Sequence, residues 1–122
     1  MIQDKPSRTA FRVAMRRAAH QVWDNPRVFE DPVALRIIGP ETAAEISNSR
    51  EAMSGPAVYL RAFLVGRSRF AEEHLAAAVK RGLKQYVVLG AGLDTFAYRN
   101  PFTDLRVFEV DFLPRRRGNA SC

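Results

Sequence analysis

Residues 85–99 read QYVVLGAGLDTFAYR, and this stretch decides the fold. Gln85 to Leu89 form a short, uncharged run with two adjacent β-branched residues, the pattern of a strand covered on both faces. Gly90 and Gly92 follow at once. Two glycines directly after a buried strand allow the backbone to turn tightly and a ligand to approach it closely. The next segment, Asp94 to Asn100, has the length of about two helical turns, ends at Pro101, and would aim its first amides at whatever the turn holds.

A second strand candidate, LRVFEVD, closes at Asp111. A carboxylate about 20 residues past a glycine turn, at the carboxyl end of the second strand, is placed to accept hydrogen bonds from both hydroxyls of a ribose. Glu109 and Asp111 share one strand face, because side chains alternate. Asp111 lies nearer the strand end and is the better candidate. The third glycine of a dinucleotide fingerprint is missing; Leu93-Asp94-Thr95-Phe96 stands there instead. A negative Asp94 at the start of a helix would repel a pyrophosphate but tolerate a ligand carrying ammonium and sulfonium charge, which favours S-adenosylmethionine over NAD. Asp94 or Thr95 could equally serve as a cap for that helix.

Upstream the period is helical. From Ser7, the residues Phe11, Ala14, Met15, Ala18 and Val22 recur at three- and four-residue spacing, leaving Arg12, Arg16 and Arg17 for other faces. Asp31-Pro32 starts a short helix that Gly39-Pro40 stops. Residues 40–56 read as a partly helical connection. Ala57 to Lys80 is one kinked helix or two, with Gly82 after its last turn. Phe11, Phe63 and Phe70 read as core by their spacing, and Trp23 and Tyr59 as core or cap packing. His20 and His74 read as structural, each in a helical segment with no acid in a catalytic spacing. Helices, then strand, glycine turn, short helix and strand make an α/β fold: a helical cap over residues 1–82 and, over 83–111, the opening β-α-β unit of a doubly wound sheet.

At 122 residues, with 47% hydrophobic and 26% charged residues, the chain has the make-up of one packed domain. No apolar run reaches the length of a membrane span and the N-terminus is too polar for a secretory signal, so the expected setting is the cytoplasm, with no membrane partner. The single Cys122 can supply neither an internal disulfide nor a metal cluster, and no metal is expected. The net charge of +6 would suggest nucleic acid, but three of the 19 basic residues are Arg115, Arg116 and Arg117, which leaves 16 against 13 acids over the rest. No nucleic-acid partner is expected.

The segments SRTAFRVAMRRAAH, NPRVFEDPVALRIIG, RSRFAEEHLAAAVKRG, QYVVLGAGLDTFAYR and VFEVD together resemble the leucine carboxyl methyltransferase-like family of S-adenosylmethionine-dependent methyltransferases, in its bacterial branch. The resemblance covers residues 7–111. It implies a class I, Rossmann-like methyltransferase sheet preceded by a helical cap, with S-adenosyl-L-methionine held at Gly90, Gly92 and Asp111. It also implies an arginine in the preceding helix paired with the cofactor carboxylate, for which Arg69 matches best and Arg67 second. Physics suits an arginine there, since its planar fork meets a carboxylate with two hydrogen bonds. The implied reaction is methyl transfer to a carboxyl or hydroxyl oxygen of a small molecule. A catalytic base and the oligomeric state are not legible.

Two other readings remain: an NAD(P)-binding Rossmann-type oxidoreductase fragment, and a basic nucleic-acid-binding or adaptor module using the arginine tail. A full sheet of this type has about six or seven strands, and two are found, so the chain is expected to be a truncated, marginally folding and inactive front part. Residues 112–122, FLPRRRGNASC, are expected to be out of frame. One permitted coding of Asp111 onward, with a single C restored after its codon, reads Leu-Pro-Ala-Thr-Gln-Ala-Trp-Lys, the continuation that the resemblance implies. The gene sequence decides this.

Overall fold

The computed structural model describes residues 7–49 and 54–111, so the tail expectation lies outside the described residues. Four helices come first: α1 (Arg8–Trp23), α2 (Ala34–Ile37), α3 (Pro40–Asn48) and α4 (Pro56–Lys80). Strand β1 (Gln85–Leu89), a 3₁₀ turn (Phe96–Tyr98) and strand β2 (Arg106–Val110) follow. The two strands pair in parallel, Gln85 with Arg106 through Leu89 with Val110. The architecture is α/β, with a helical layer and a two-stranded parallel sheet.

Local chemistry explains the boundaries. Ser7 caps α1, its hydroxyl accepting the Ala10 N–H at 3.1 Å. Asp31 accepts the Val33 N–H at 3.0 Å and so starts the turn into α2. The period over 56–80 resolves as one continuous helix through Gly66. It ends with the Gly82 N–H on the Val79 carbonyl and the Leu83 N–H on the Ala78 carbonyl, both at 3.0 Å, the paired bonds of a Schellman cap. The segment after Asp94 forms a single 3₁₀ turn where about two helical turns were expected. Asn100, whose side chain accepts the Phe102 N–H and donates to the Leu105 carbonyl, folds the chain back into β2 instead.

Two apolar clusters form the interior. Ala14, Ala18 and Ala19 of α1 pack with Ala34, Ile38 and Ile46, and Phe11, Met15, Val22 and Trp23 close around them. The small side chains let α2 and α3 approach α1 closely. The second cluster joins Leu75, Phe96 and Leu105 with Val79, Tyr86, Phe102 and Val107, seating one sheet face on the carboxyl half of α4. The other sheet face is open: Val87, Leu89, Phe108 and Val110 are all exposed, Leu89 at 76%. The expectation of a strand covered on both faces is therefore met on one face only.

Three further expectations are corrected. Phe63 and Phe70 are 63% and 64% exposed and Tyr59 is 80% exposed, because α4 turns Arg61, Leu64, Val65 and Leu75 inward and these aromatics outward. His20 does have an acid beside it: its Nδ1 lies 2.7 Å from Asp24 Oδ2, one helical turn on. The Val28 and Phe29 N–H groups donate to its Nε2, which assigns the proton to Nδ1 and makes the ring a structural bridge. Arg17, placed on an outer face by the periodicity, is buried.

Asp24, at the end of α1, also accepts two hydrogen bonds from Arg61 of α4, at 2.8 and 2.7 Å. The Arg61 hydrogen bond, reinforced by His20 and opposed by burial, holds the Asp24 carboxyl below its usual range. A depressed carboxyl pKa contributes stability that is present above about pH 4 and lost as the pH falls through the lowered value. Asp24→Asn removes the carboxylate that faces the buried Arg61 guanidinium. It is expected to cost about 3 kcal/mol at pH 7 and to flatten the acid limb of the stability profile. Urea unfolding followed through Trp23, whose indole N–H donates to the Ile46 carbonyl at 2.9 Å, measures both.

Candidate functional site

Parallel pairing brings the glycine turn and the end of β2 to the same edge of the sheet. The Gly90 and Ala91 N–H groups both point at the Val110 carbonyl, at 2.7 and 3.3 Å. One residue on, the Gly92 N–H donates to Asp111 Oδ2 at 2.6 Å. Gly90 and Gly92 have φ of +62° and +53°, a region that side chains resist, so the turn requires glycine at both positions. At Gly92 the space is also tight. A Cβ there would lie 3.1 Å from the Ala10 Cβ of α1, whereas one at Gly90 would meet nothing within 4 Å.

In front of this edge opens a cleft of about 460 Å³, a volume suited to a small molecule or cofactor. It is lined by Val88, the turn from Gly90 to Asp94 and Asp111 on the sheet side, and by Ala10, Val13 and Arg17 of α1. Arg67 reaches it from α4. Of the residues singled out in the sequence, the structure thus brings together Gly90, Gly92, Asp94, Asp111 and Arg67.

Arg69 is not among them. Its Nε sits 2.7 Å from Glu73 Oε1 and its Nη1 donates to the Val28 carbonyl at 3.1 Å, on a different surface. Two residues along a helix turn the side chain by about 200°, so Arg67 and Arg69 cannot serve one cleft. Of the two arginines, Arg67 lines this cleft and Arg69 does not.

The reading of Asp94 changes as well. Its Oδ2 accepts the Phe96 N–H at 3.1 Å, so it starts the 3₁₀ turn. Its Oδ1 lies 3.4 Å from Arg17 Nη1. The Asp94 charge therefore has a counter-charge inside the protein, and the argument that it selects a cationic ligand weakens. Arg17 itself was missed by periodicity. The available signal was its place between Ala14 and Ala18, three residues after one core alanine and directly before another.

Gly92→Ala is expected to cost about 2 kcal/mol from the φ conflict, with the Ala10 contact added. Gly90→Ala is expected to cost less, having only the conformational conflict. Urea unfolding of the two variants side by side measures the difference.

Comparison with known proteins fits this geometry. The profile of the family described as leucine carboxyl methyltransferase matches residues 10–115. YktD of Bacillus subtilis (strain 168), provisionally named an S-adenosyl-L-methionine-dependent methyltransferase, is 31% identical over 91% of this chain and 44% of its own length. A Mycobacterium sp. (strain KMS) protein with the same provisional description is 36% identical over 67% of this chain and 34% of its own. A third, from Mycobacteroides abscessus, is 34% identical over 84% of this chain and 35% of its own. The chain thus spans less than half the length of these curated relatives. With most of its residues matched, the chain belongs to the leucine carboxyl methyltransferase family.

Proposed function

We propose that this chain is the cofactor-holding front part of an S-adenosyl-L-methionine-dependent methyltransferase, built on the opening unit of a Rossmann-like sheet. The single observation that carries the reading is the cleft in which Gly90, Gly92 and Asp111 meet Arg67. Bound there, S-adenosyl-L-methionine would supply an activated methyl group. Asp111 is suited to accept hydrogen bonds from the ribose hydroxyls while its Oδ2 keeps the turn closed through the Gly92 N–H. Arg67 is suited to pair with the cofactor carboxylate by a two-pronged hydrogen bond. Asp94 supports the turn that the cofactor would lie against. Arg69 takes no part in this arrangement.

The acceptor that we propose is a carboxyl or hydroxyl oxygen of a small molecule. Displacement at an activated methyl requires no protein nucleophile, so the work of the site is to align acceptor and methyl and to exclude water. The open sheet face, with Leu89 76% exposed, supports the reading that this chain by itself is inactive in transfer. No helix among the described residues is long and apolar enough to cross a membrane, which accords with a proposed cytoplasmic setting.

Calorimetric titration of the 122-residue chain with S-adenosylhomocysteine and with NADH tests the reading. Binding of S-adenosylhomocysteine alone is expected, weakened about tenfold or more by Asp111→Ala, the loss expected for charged hydrogen bonds. Binding of NADH alone would favour an oxidoreductase fragment. Binding of neither would show that these residues do not form a cofactor site by themselves.

A further inference from the structure

We propose that Arg17 is a positioning residue that couples the docking of α1 to the shape of the glycine turn, so that the N-terminal helix is a working part of the cofactor site. The proposal rests on the cofactor reading above and adds to it a residue that holds the turn from behind. The Arg17 side chain is only 9% exposed. Its Nη2 donates to the Leu93 carbonyl at 2.6 Å and its Nη1 faces Asp94 Oδ1 at 3.4 Å. One fork therefore grips a backbone carbonyl and a side chain of consecutive residues, immediately after Gly92. Asp94 passes the constraint on, because its other oxygen accepts the Phe96 N–H.

A second contact runs in parallel. Ala10, two helical turns before Arg17, crowds the place of a Gly92 Cβ, which would lie 3.1 Å from the Ala10 Cβ. Helix α1 thus touches the turn at Gly92 and grips it at Leu93 and Asp94. Glycines at φ of +62° and +53° confer no preference for one turn geometry over others. The shape of the turn is therefore set by its contacts: Val110 and Asp111 hold Gly90 to Gly92, and Arg17 is placed to hold Leu93 and Asp94.

The geometry separates arginine from lysine. A guanidinium presents several donors in a fixed plane and spans both oxygens, whereas an ammonium is a point charge on a flexible stem. Arg17→Lys keeps the charge and loses the fork; Arg17→Gln loses the charge and keeps a donor. Each variant chain is examined by amide hydrogen exchange without ligand and by titration with S-adenosylhomocysteine.

Positioning predicts faster exchange at Leu93 to Phe96 in both variants, with exchange in the middle of α1 and α4 unchanged. It also predicts about tenfold weaker binding for Arg17→Lys, the loss of one charge-assisted hydrogen bond. Unchanged exchange at Leu93 to Phe96 would overturn the proposal, as would a uniform rise throughout α1 and α4, which marks a role in stability alone. Unaltered affinity beside a loosened turn would also overturn it. If the unsubstituted chain binds no S-adenosylhomocysteine, the cofactor reading falls; the exchange pattern then decides by itself whether Arg17 sets the turn.

Discussion

Arg99 sits among partners that no single element could provide, and the placement of the glycine turn depends on them. Its guanidinium makes a two-pronged pair with Glu72 of α4, both contacts at 2.6 Å. Its Nε lies 3.2 Å from Asp31, whose side chain is fully buried before α2. Thr95 bridges the same two groups, donating to Asp31 and accepting from Arg99. The Phe29 ring stacks against the guanidinium at 4.9 Å. Burial works against the cation, yet Glu72, Asp31 and Asp94 together raise its pKa above the ordinary value, so the charge persists at every relevant pH. Removing Arg99 would strand Glu72 and the fully buried Asp31 in a poorly solvated place, so the arrangement depends on the cation.

The consequence is architectural. A two-stranded parallel sheet has little stability of its own, and the helical part of its connection here is one turn of 3₁₀ helix. Beside the packing of Phe96, Phe102 and Leu105 with Leu75 and Val79 of α4, what holds that connection is ionic and comes from the helical layer. Asp31 and Glu72 fix it at Thr95 and Arg99, and Arg17 fixes it at Leu93 and Asp94. The helical layer and the two-stranded unit, divided at residue 82 by the change of period, are thus linked through residues 93–99.

The legible and illegible parts of the chain divide along the same line. Strand, glycine turn and second strand could be read because their signals are local: a β-branched run, glycines where φ must be positive, and an acid at a set distance. The Ser7 cap, the Asp31 turn and the Gly82 stop could be read for the same reason. Long-range pairing was not legible. Locally only its place between Ala14 and Ala18 sets Arg17, buried against a carbonyl 76 residues away, apart from the exposed Arg12 and half-buried Arg16 on the same helix. The choice between Arg67 and Arg69 required the rotation of α4, and the outward turn of Phe63 and Phe70 required knowing which face of α4 carries Arg61, Leu64 and Leu75. Hydrophobic periodicity assumes that the apolar face is the buried one, and α4 has apolar residues all round.

The charge balance of the cleft follows from these pairings and bears on what the cleft can hold. By sequence, Asp94 stands nearest the turn and would dominate the local potential. In the structure Arg17 offsets it, and its second oxygen is occupied by the Phe96 N–H. In the proposed reading recognition falls to Asp111 and Arg67, which both line the cleft, a negative group suited to hydroxyl donors and a positive one suited to a carboxylate. A dinucleotide pyrophosphate would need turn amides offered to it, but the Gly92 N–H is spent on Asp111 and the Gly90 N–H on Val110. A ligand with hydroxyls at one end and a carboxylate at the other makes no such demand. The preference for S-adenosyl-L-methionine over a dinucleotide therefore rests on where the backbone donors already point, a firmer basis than the sign of Asp94.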